Sequence, residues 1–388
     1  MKSISKIIKL IPILLPICLL LGCQKKPKPI PHLNFVEHQL NWEEKTACTL
    51  ILNQKEKLKA KAKFRGGSSS KFGKKSYSLE LDEAYAFGNL PADDDWILNA
   101  TYIDKTFMRH KISYDLFREM SPKNRASKSI FVESSRSSVY EGLYVLMEKI
   151  NASYLGLNTS DSLAMLFKGP LFLYEQKLTP QDSANYYHQK YPKIESSDKT
   201  AYLEAFRTLL FNADDRIFET QIAHWVDVEN MADWQILLLY TNNSDGIMKN
   251  FYLYKIDTQT PFRIAIWDYD HAFGRDGDGE LNMMERILDL DRSILFKRLM
   301  TMPSYRSLLK SRWKKYRTSG LISEQDFEQR TEAIDKQIRP YLKSNFEKWP
   351  IHSSNYADSN TYDQEVQLMK DFVALRIPDL DQYFEQLN

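Results

Sequence analysis

Residues 242–255 read NNSDGIMKNFYLYK. The stretch leaves an apolar, helix-patterned run that ends near Thr241 and enters a run of aromatic and aliphatic residues. It therefore marks the junction of a helix and a strand. Asn, Asp and Gly tolerate left-handed backbone angles, so a plain turn accounts for Asn243-Ser244-Asp245-Gly246. A turn alone leaves unexplained the second acidic run, IWDYDHAFG at 266–274. The segments NFYLYK and FRIAIWDYD read as two strands of a hairpin, and a hairpin brings both strand ends to one rim. On that rim Asp245, Asn250 and Asp268 meet, and Asp270 follows Asp268 two residues on, on the same strand face. Three oxygen-bearing side chains near one point suit a hard divalent cation.

Outward from this hairpin the chain divides in character. From about residue 46 the front half alternates short β-like runs with turns: TLILNQ, KLKAKAKF, KKSYSLEL, WILNA, SIFVES and SVYEGLYVLMEKI. One helix interrupts them, starting at Asp104 as N-cap, with Phe107, Ile112, Leu116 and Met120 on one face, and stopping at Ser121-Pro122. A further helix starts at Asp227 and turns Trp234, Leu237, Leu238 and Leu239 towards a core. After about residue 290 the chain reads as amphipathic helices to its end. The expected class is α+β, with a β-rich N-terminal lobe at about 46–178 and a mainly helical C-terminal lobe at about 179–388.

The first 22 residues stand apart. Lys2, Lys6 and Lys9 precede the apolar run LIPILLPICLLLG, which reads as a signal peptide. Leu20-Leu21-Gly22-Cys23 resembles the lipobox of bacterial lipoproteins. That resemblance implies cleavage before Cys23, lipid on its thiol and attachment to a membrane in the cell envelope, facing the periplasm or the surface. Residues 23–45 then read as a Pro-rich tether. The 388 residues carry a net charge of +2, which falls to −1 when the three leader lysines leave. Nothing in that balance points to nucleic acid. Of three cysteines only Cys48 would remain free of leader and lipid, so an internal disulfide is not expected.

The chemistry-bearing residues gather in few places. Asp245 and Asn250 form D-x-x-x-x-N, the spacing of the protein-kinase catalytic loop. In such loops the aspartate takes the proton of the acceptor hydroxyl and the asparagine holds Mg²⁺. Asp268 and Asp270 end the next strand but one, where a carboxylate can ligate metal, and Phe273-Gly274 completes D-x-D-x-x-F-G. In the front half, FRGGSSSKFGKKSYSLEL (64–81) combines a Gly-Gly turn, donors on Ser68 and Ser69, and the cations Lys71, Lys74 and Lys75. Tyr77, Leu79 and Leu81 alternate inward. By parity Lys75 faces the cleft with them and Lys74 faces out. A surface basic hairpin explains the same residues, as does a site for an acidic peptide. Glu148 closes a buried strand, where a carboxylate is costly unless paired, so it either binds a cleft lysine or is a solvated strand end beside Lys149. Arg109, inside the helix from Asp104, would pair with a carboxylate or a phosphate, or lie solvated.

Taken in order, the blocks FRGGSSSKFGKKSYSLEL, WILNATYIDKTFMRHKISYDL, YEGLYVLMEKI, NNSDGIMKNFYLYK and IWDYDHAFG resemble the CotH kinase family, atypical kinases named from bacterial spore coats. The resemblance covers roughly residues 50–275. It implies an atypical protein-kinase-like, two-lobed fold, ATP with Mg²⁺ or Mn²⁺, and phosphate transfer to protein Ser/Thr hydroxyls on another envelope or surface protein. It further implies Asp245 as catalytic aspartate, Asn250 and Asp268 as metal ligands, and Lys75 with Glu148 as the nucleotide-positioning pair, with Lys71 and Lys74 competing for that role. G-x-G-x-x-G, V-A-I-K and H-R-D are absent, and Asn243-Ser244 stands where His-Arg would. Two rivals stay open: an inactive surface binding lipoprotein of kinase-like fold, and transfer of AMP rather than phosphate.

Overall fold

The structure, a computed structural model, describes residues 29–36, 39–170, 187–275, 284, 287–350 and 359–387. The expected leader and the expected lipidation site, Cys23, lie outside the described residues. Seven strands close a barrel: β1 (His32–Val36), β2 (Thr46–Leu52), β3 (Glu56–Arg65), β4 (Ser76–Tyr85), β5 (Asp93–Asn99), β6 (Ser129–Arg136) and β7 (Val139–Glu148). Their order is β1-β2-β3-β4-β5-β7-β6, and β1 pairs parallel to β6 to complete the ring. The expectation of a tether through residue 45 is thus corrected. HLNFV is a strand whose Leu33 and Phe35 are buried in the barrel.

Period-two patterning shapes the wall. In β3, Ala60 and Ala62 point inward while Lys57, Lys59 and Lys61 face solvent. Tyr77, Leu79, Trp96, Leu98, Tyr144 and Leu146 fill the interior. The opposite faces of β5, β6 and β7 are also apolar, because Ile97, Phe131, Leu143, Val145 and Met147 pack into the second, larger core of the molecule. Burial on both faces explains why YEGLYVLME reads as one apolar run.

That second core surrounds a four-stranded antiparallel sheet, ordered β11-β10-β8-β9, from β8 (Met165–Lys168), β9 (Gln189–Tyr191), β10 (Phe251–Lys255) and β11 (Arg263–Ile266). Residues 165–168 fell inside the expected front lobe, but as β8 they pair with β10, so the change of architecture falls between 148 and 165 rather than near 178. Helices complete it: α1 (Arg109–Met120), a single turn α2 (Ala152–Leu155), α3 (Thr200–Asn212), α4 (Asp215–Trp225), α5 (Val228–Thr241), α6 (Ser244–Met248), α7 (Ile294–Leu299), α8 (Pro303–Thr318), α9 (Glu324–Lys348) and α10 (Tyr362–Glu385). The class is α+β, as expected. A closed barrel stands where a kinase-like β lobe was anticipated.

α9 docks on the barrel through polar contacts. Trp349 at its end donates Nε1 to the Glu141 carbonyl (2.7 Å), and Asn345 Oδ1 accepts from Leu143 N (3.1 Å). A Cβ on Gly142 would lie 2.8 Å from Asn345 Oδ1, so the contact needs glycine there. Among the described residues no helix is long and apolar enough to cross a membrane.

Candidate active site

α5 is buried along almost its whole length and is capped by Asp227, which accepts from Asn230 N. Asn242 then turns left-handed (φ 55°), and Asn243 caps the short α6 by accepting from Gly246 N. The acidic loop is therefore one helical turn rather than an open turn. Its Asp245 carbonyl accepts the N–H groups of both Lys249 and Asn250, each at 3.0 Å. The Asp245 carboxylate meets Lys249 Nζ at 3.0 Å and lies 3.8 Å from His271 Nδ1.

The expected hairpin forms, with Phe251 opposite Ile266 and Tyr252 opposite Ala265. It ends in two interlocked bonds. Trp267 N donates to the Asn250 carbonyl (3.0 Å), and Asn250 Nδ2 donates to the Asp268 carbonyl (3.1 Å). One expectation is corrected. β11 stops at Ile266, so Asp268 and Asp270 do not share a strand face. Asp268 instead adopts φ 59°, a left-handed conformation that is uncommon outside glycine and clusters at functional sites.

Three donors converge beside this kink. His110 of α1, Asp268 and Asp270 each present a ligand-type atom, all within 4.8 Å of one another. His110 Nε2 is bonded to Asp268 Oδ1 at 3.1 Å, and Tyr114 accepts from Asp268 N at 2.8 Å. Loss of water pushes the Asp268 pKa up, but the hydrogen bond from His110 and the charges of His110, Arg65 and His271 outweigh it and bring it to about 2. Asp270 goes the other way, to about 6, raised by burial and then by the charge on Asp268. The two shifts run in opposite directions because the charge of Asp268 raises its neighbour Asp270 while His110 holds Asp268 down.

Cations frame the same recess. Arg65 ends β3 with its guanidinium carbon 5.4 Å from the Trp267 ring centre, and Lys168 ends β8 with Nζ 5.7 Å from it. Burial, then the charge of Arg65, pull the Lys168 pKa down, while Asp268 pulls it up.

The lysines named from sequence fare differently. β4 starts at Ser76, so strand parity does not reach Lys74 and Lys75, and their expected orientations are reversed. Lys74 is buried, donating to the Leu143 carbonyl and to Asn345 Oδ1 (3.2 Å), with the Tyr144 ring centre at 4.5 Å. Lys75 caps its own loop through the carbonyls of Ser70 (2.8 Å) and Phe72. Ser68, Ser69 and Lys71 form an exposed 3₁₀ turn. Glu148 is buried and accepts from the backbone N of Lys128 at 2.7 Å, forming no ion pair among the described residues. The expected Lys75–Glu148 pair is therefore absent.

Arg109 meets carboxylates rather than solvent: Asp104 at 2.6 Å and Glu365 of α10 at 3.0 Å, with Nε on the Ala272 carbonyl at 2.8 Å. Asp104 is not the helix N-cap but holds the turn before α1, accepting from Thr106 N and Arg109 N at 3.0 Å. His110, Arg65, Lys168 and Trp267 were not singled out from sequence. For His110 the available signal was its place beside Arg109 in the block MRHKISYD.

A family described as CotH kinase protein matches residues 62–378. The inner spore coat protein H of Bacillus subtilis (strain 168) is 23% identical over 306 residues, covering 78% of this chain and 82% of that protein. Because the matched region runs from inside β3 to α10 and takes in the whole recess, the chain belongs to the CotH kinase protein family.

Proposed function

We propose that the chain is an exported, lipid-anchored atypical kinase that moves the γ-phosphate of ATP to a Ser/Thr hydroxyl of another envelope protein. The barrel and the helical half act as its two lobes around the recess. Support comes above all from one convergence: Asn250 is bonded to Asp268, and Asp268, Asp270 and His110 lie within 4.8 Å.

The donor set fits a divalent cation. Asp268 and Asp270 offer carboxylate oxygens, and Asn250, its nitrogen engaged with the Asp268 carbonyl, has a neutral oxygen left to give. Such oxygens suit Mg²⁺ or Mn²⁺, with the hydrogen-bonded His110 orienting Asp268. Bound metal supplies neutralisation of the charge that builds on the transferring phosphoryl group. Asp245, held by Lys249, orients the acceptor hydroxyl and receives its proton.

Calorimetric titration of ATP into the full chain in detergent, with Mg²⁺, Mn²⁺ or a chelator, tests this. Binding that needs metal is the expected result. Equal binding in chelator, or none at all, overturns the assignment and favours a surface binding protein.

A further inference from the structure

We infer that Arg65 and Lys168 form a polyphosphate-binding grip, one cation from the barrel and one from the four-stranded sheet, set against Trp267. Naming the polyphosphate as that of ATP rests on the phosphotransfer reading; the anion site itself does not.

The lack of any hydrogen-bonded or ionic partner sets these two side chains apart. The partly or fully buried arginines Arg109, Arg263, Arg312 and Arg330 each meet a carboxylate within 3.0 Å. Among the described residues, Arg125, Lys74, Lys75 and Lys255 form no ion pair but donate to backbone carbonyls. Arg65 and Lys168 are half-buried, and among the described residues neither side chain forms an ion pair or a hydrogen bond. Both instead lie within 6 Å of one indole ring centre. Two like charges held together in a partly dry recess repel, and each loses hydration there. The arrangement is favourable when an anion with several oxygens completes it.

The surroundings suit such a ligand. Gly66 and Gly67 follow Arg65 directly, and a Cβ on Gly67 would meet no atom within 4 Å, so the backbone there is open to approach. Gly169 follows Lys168, and its N–H is bonded to the Phe251 carbonyl at 2.8 Å, which ties Lys168 to the strand after Asn250. Both cations influence, or are influenced by, the charge of Asp268. A phosphate chain between them thus ends beside the carboxylates proposed to hold metal. The two lysines nearest in sequence to this loop's end, Lys74 and Lys75, are already engaged with backbone carbonyls.

The test compares binding of ATP and of inorganic tripolyphosphate by the full chain and by Arg65→Met and Lys168→Met, with thermal melting as a folding check. Tripolyphosphate competes with ATP, and each variant weakens both by roughly tenfold or more, the effect of losing a hydrogen bond to a charged group. Lys59→Met, on the outer face of β3, leaves both unchanged. Unaltered affinity in folded Arg65→Met and Lys168→Met overturns the grip while leaving wild-type ATP binding, and the kinase reading, intact. Tripolyphosphate binding that depends on both cations without ATP binding upholds the grip and removes the kinase reading. If a variant fails to fold, amine labelling of the wild type decides: tripolyphosphate protects Lys168 if the grip exists, and absence of protection overturns it.

Discussion

Asn250 and Asp268 stand 18 positions apart, and the side-chain amide of the first donates to the backbone carbonyl of the second at 3.1 Å. With the bond from Trp267 N to the Asn250 carbonyl, this fastens the open end of the β10–β11 hairpin at the residue where φ turns positive. A left-handed non-glycine residue costs on the order of 1–2 kcal/mol, so Asp268 needs such fastening to hold its carboxylate in place. The asparagine of the D-x-x-x-x-N spacing thus shapes the Asp268 backbone with its nitrogen and has its oxygen left for the proposed metal.

Asn250→Ala removes both functions. The expected outcome is a stability loss of about 1–2 kcal/mol, for one hydrogen bond and the carbonyl it leaves unmet, together with weaker Mn²⁺ binding. Denaturant unfolding and metal titration check the pair. An unchanged metal affinity would mean that only the structural role is real.

The roles proposed for Asp245 and Asp268 predict different losses on substitution. Asp268→Asn abolishes metal-dependent ATP binding. Asp245→Asn leaves binding intact and lowers transfer by about 10²–10⁴-fold, the usual contribution of a positioned base. Calorimetry and a phosphoryl-transfer assay on the same preparations read both effects. Parental behaviour in both variants would show the site to be wrongly placed.

On the proposed reading His110 acts through Asp268, to which it is hydrogen-bonded, rather than on substrate. Its loss in His110→Ala removes the 3.1 Å bond that helps keep Asp268 ionised. Outer-shell partners of this kind are worth roughly 10–100-fold in metal affinity. The expected signature is weaker Mn²⁺ binding, with ATP turnover recovering at saturating metal. A turnover defect that metal does not rescue would instead indicate a direct part in the chemistry.

The hairpin and its acidic rim were legible in the sequence because strand periodicity and the D-x-x-x-x-N spacing are local signals. So were β2 to β7, each an alternating or apolar run between turns. β1 escaped because its five residues follow a Pro-rich stretch. The Lys74/Lys75 assignment failed because parity holds only inside a strand, and β4 begins one residue later. His110 and Lys168 escaped for another reason: their meaning arises from tertiary neighbours, 158 positions away in the case of His110 and Asp268. Glu148 is neither lysine-paired nor solvated: it is buried, and a backbone N–H satisfies it, a contact that no local pattern announces.

Glu365 makes the fold acid-sensitive. Burial pushes its pKa up, but the hydrogen bond from Arg275, the charges of Arg109 and Arg275, and Asn360 prevail and bring it to about 2, from an ordinary 4.5. A depressed folded-state pKa contributes stability that is fully present above the unfolded value and is lost as pH falls through the folded one. The contribution is about 3 kcal/mol, lost between roughly pH 5 and 2. Glu365→Gln should flatten that part of the stability–pH curve, measured by urea unfolding. The same acid slope in the variant would assign the effect to other carboxylates.

Gly169 places Lys168 in close backbone contact with the turn that carries Lys249, which links the proposed grip to the proposed catalytic turn. Its φ is 53°, and a Cβ there would lie 2.3 Å from the Lys249 carbonyl oxygen. Backbone must move to admit it, and Lys249 both pairs with Asp245 and precedes Asn250. Gly156 is a built-in control: its φ is 67°, yet a Cβ would meet nothing within 4 Å. Gly156→Ala therefore pays only the left-handed backbone cost, about 1 kcal/mol, and leaves transfer unchanged. Gly169→Ala loses more stability than that and also lowers phosphoryl transfer, because Asp245 and Asn250 shift with Lys249. Equal stability losses in the two variants, with full activity in both, would show that the 168–169 turn yields freely and that the contact with Lys249 does not position the catalytic turn.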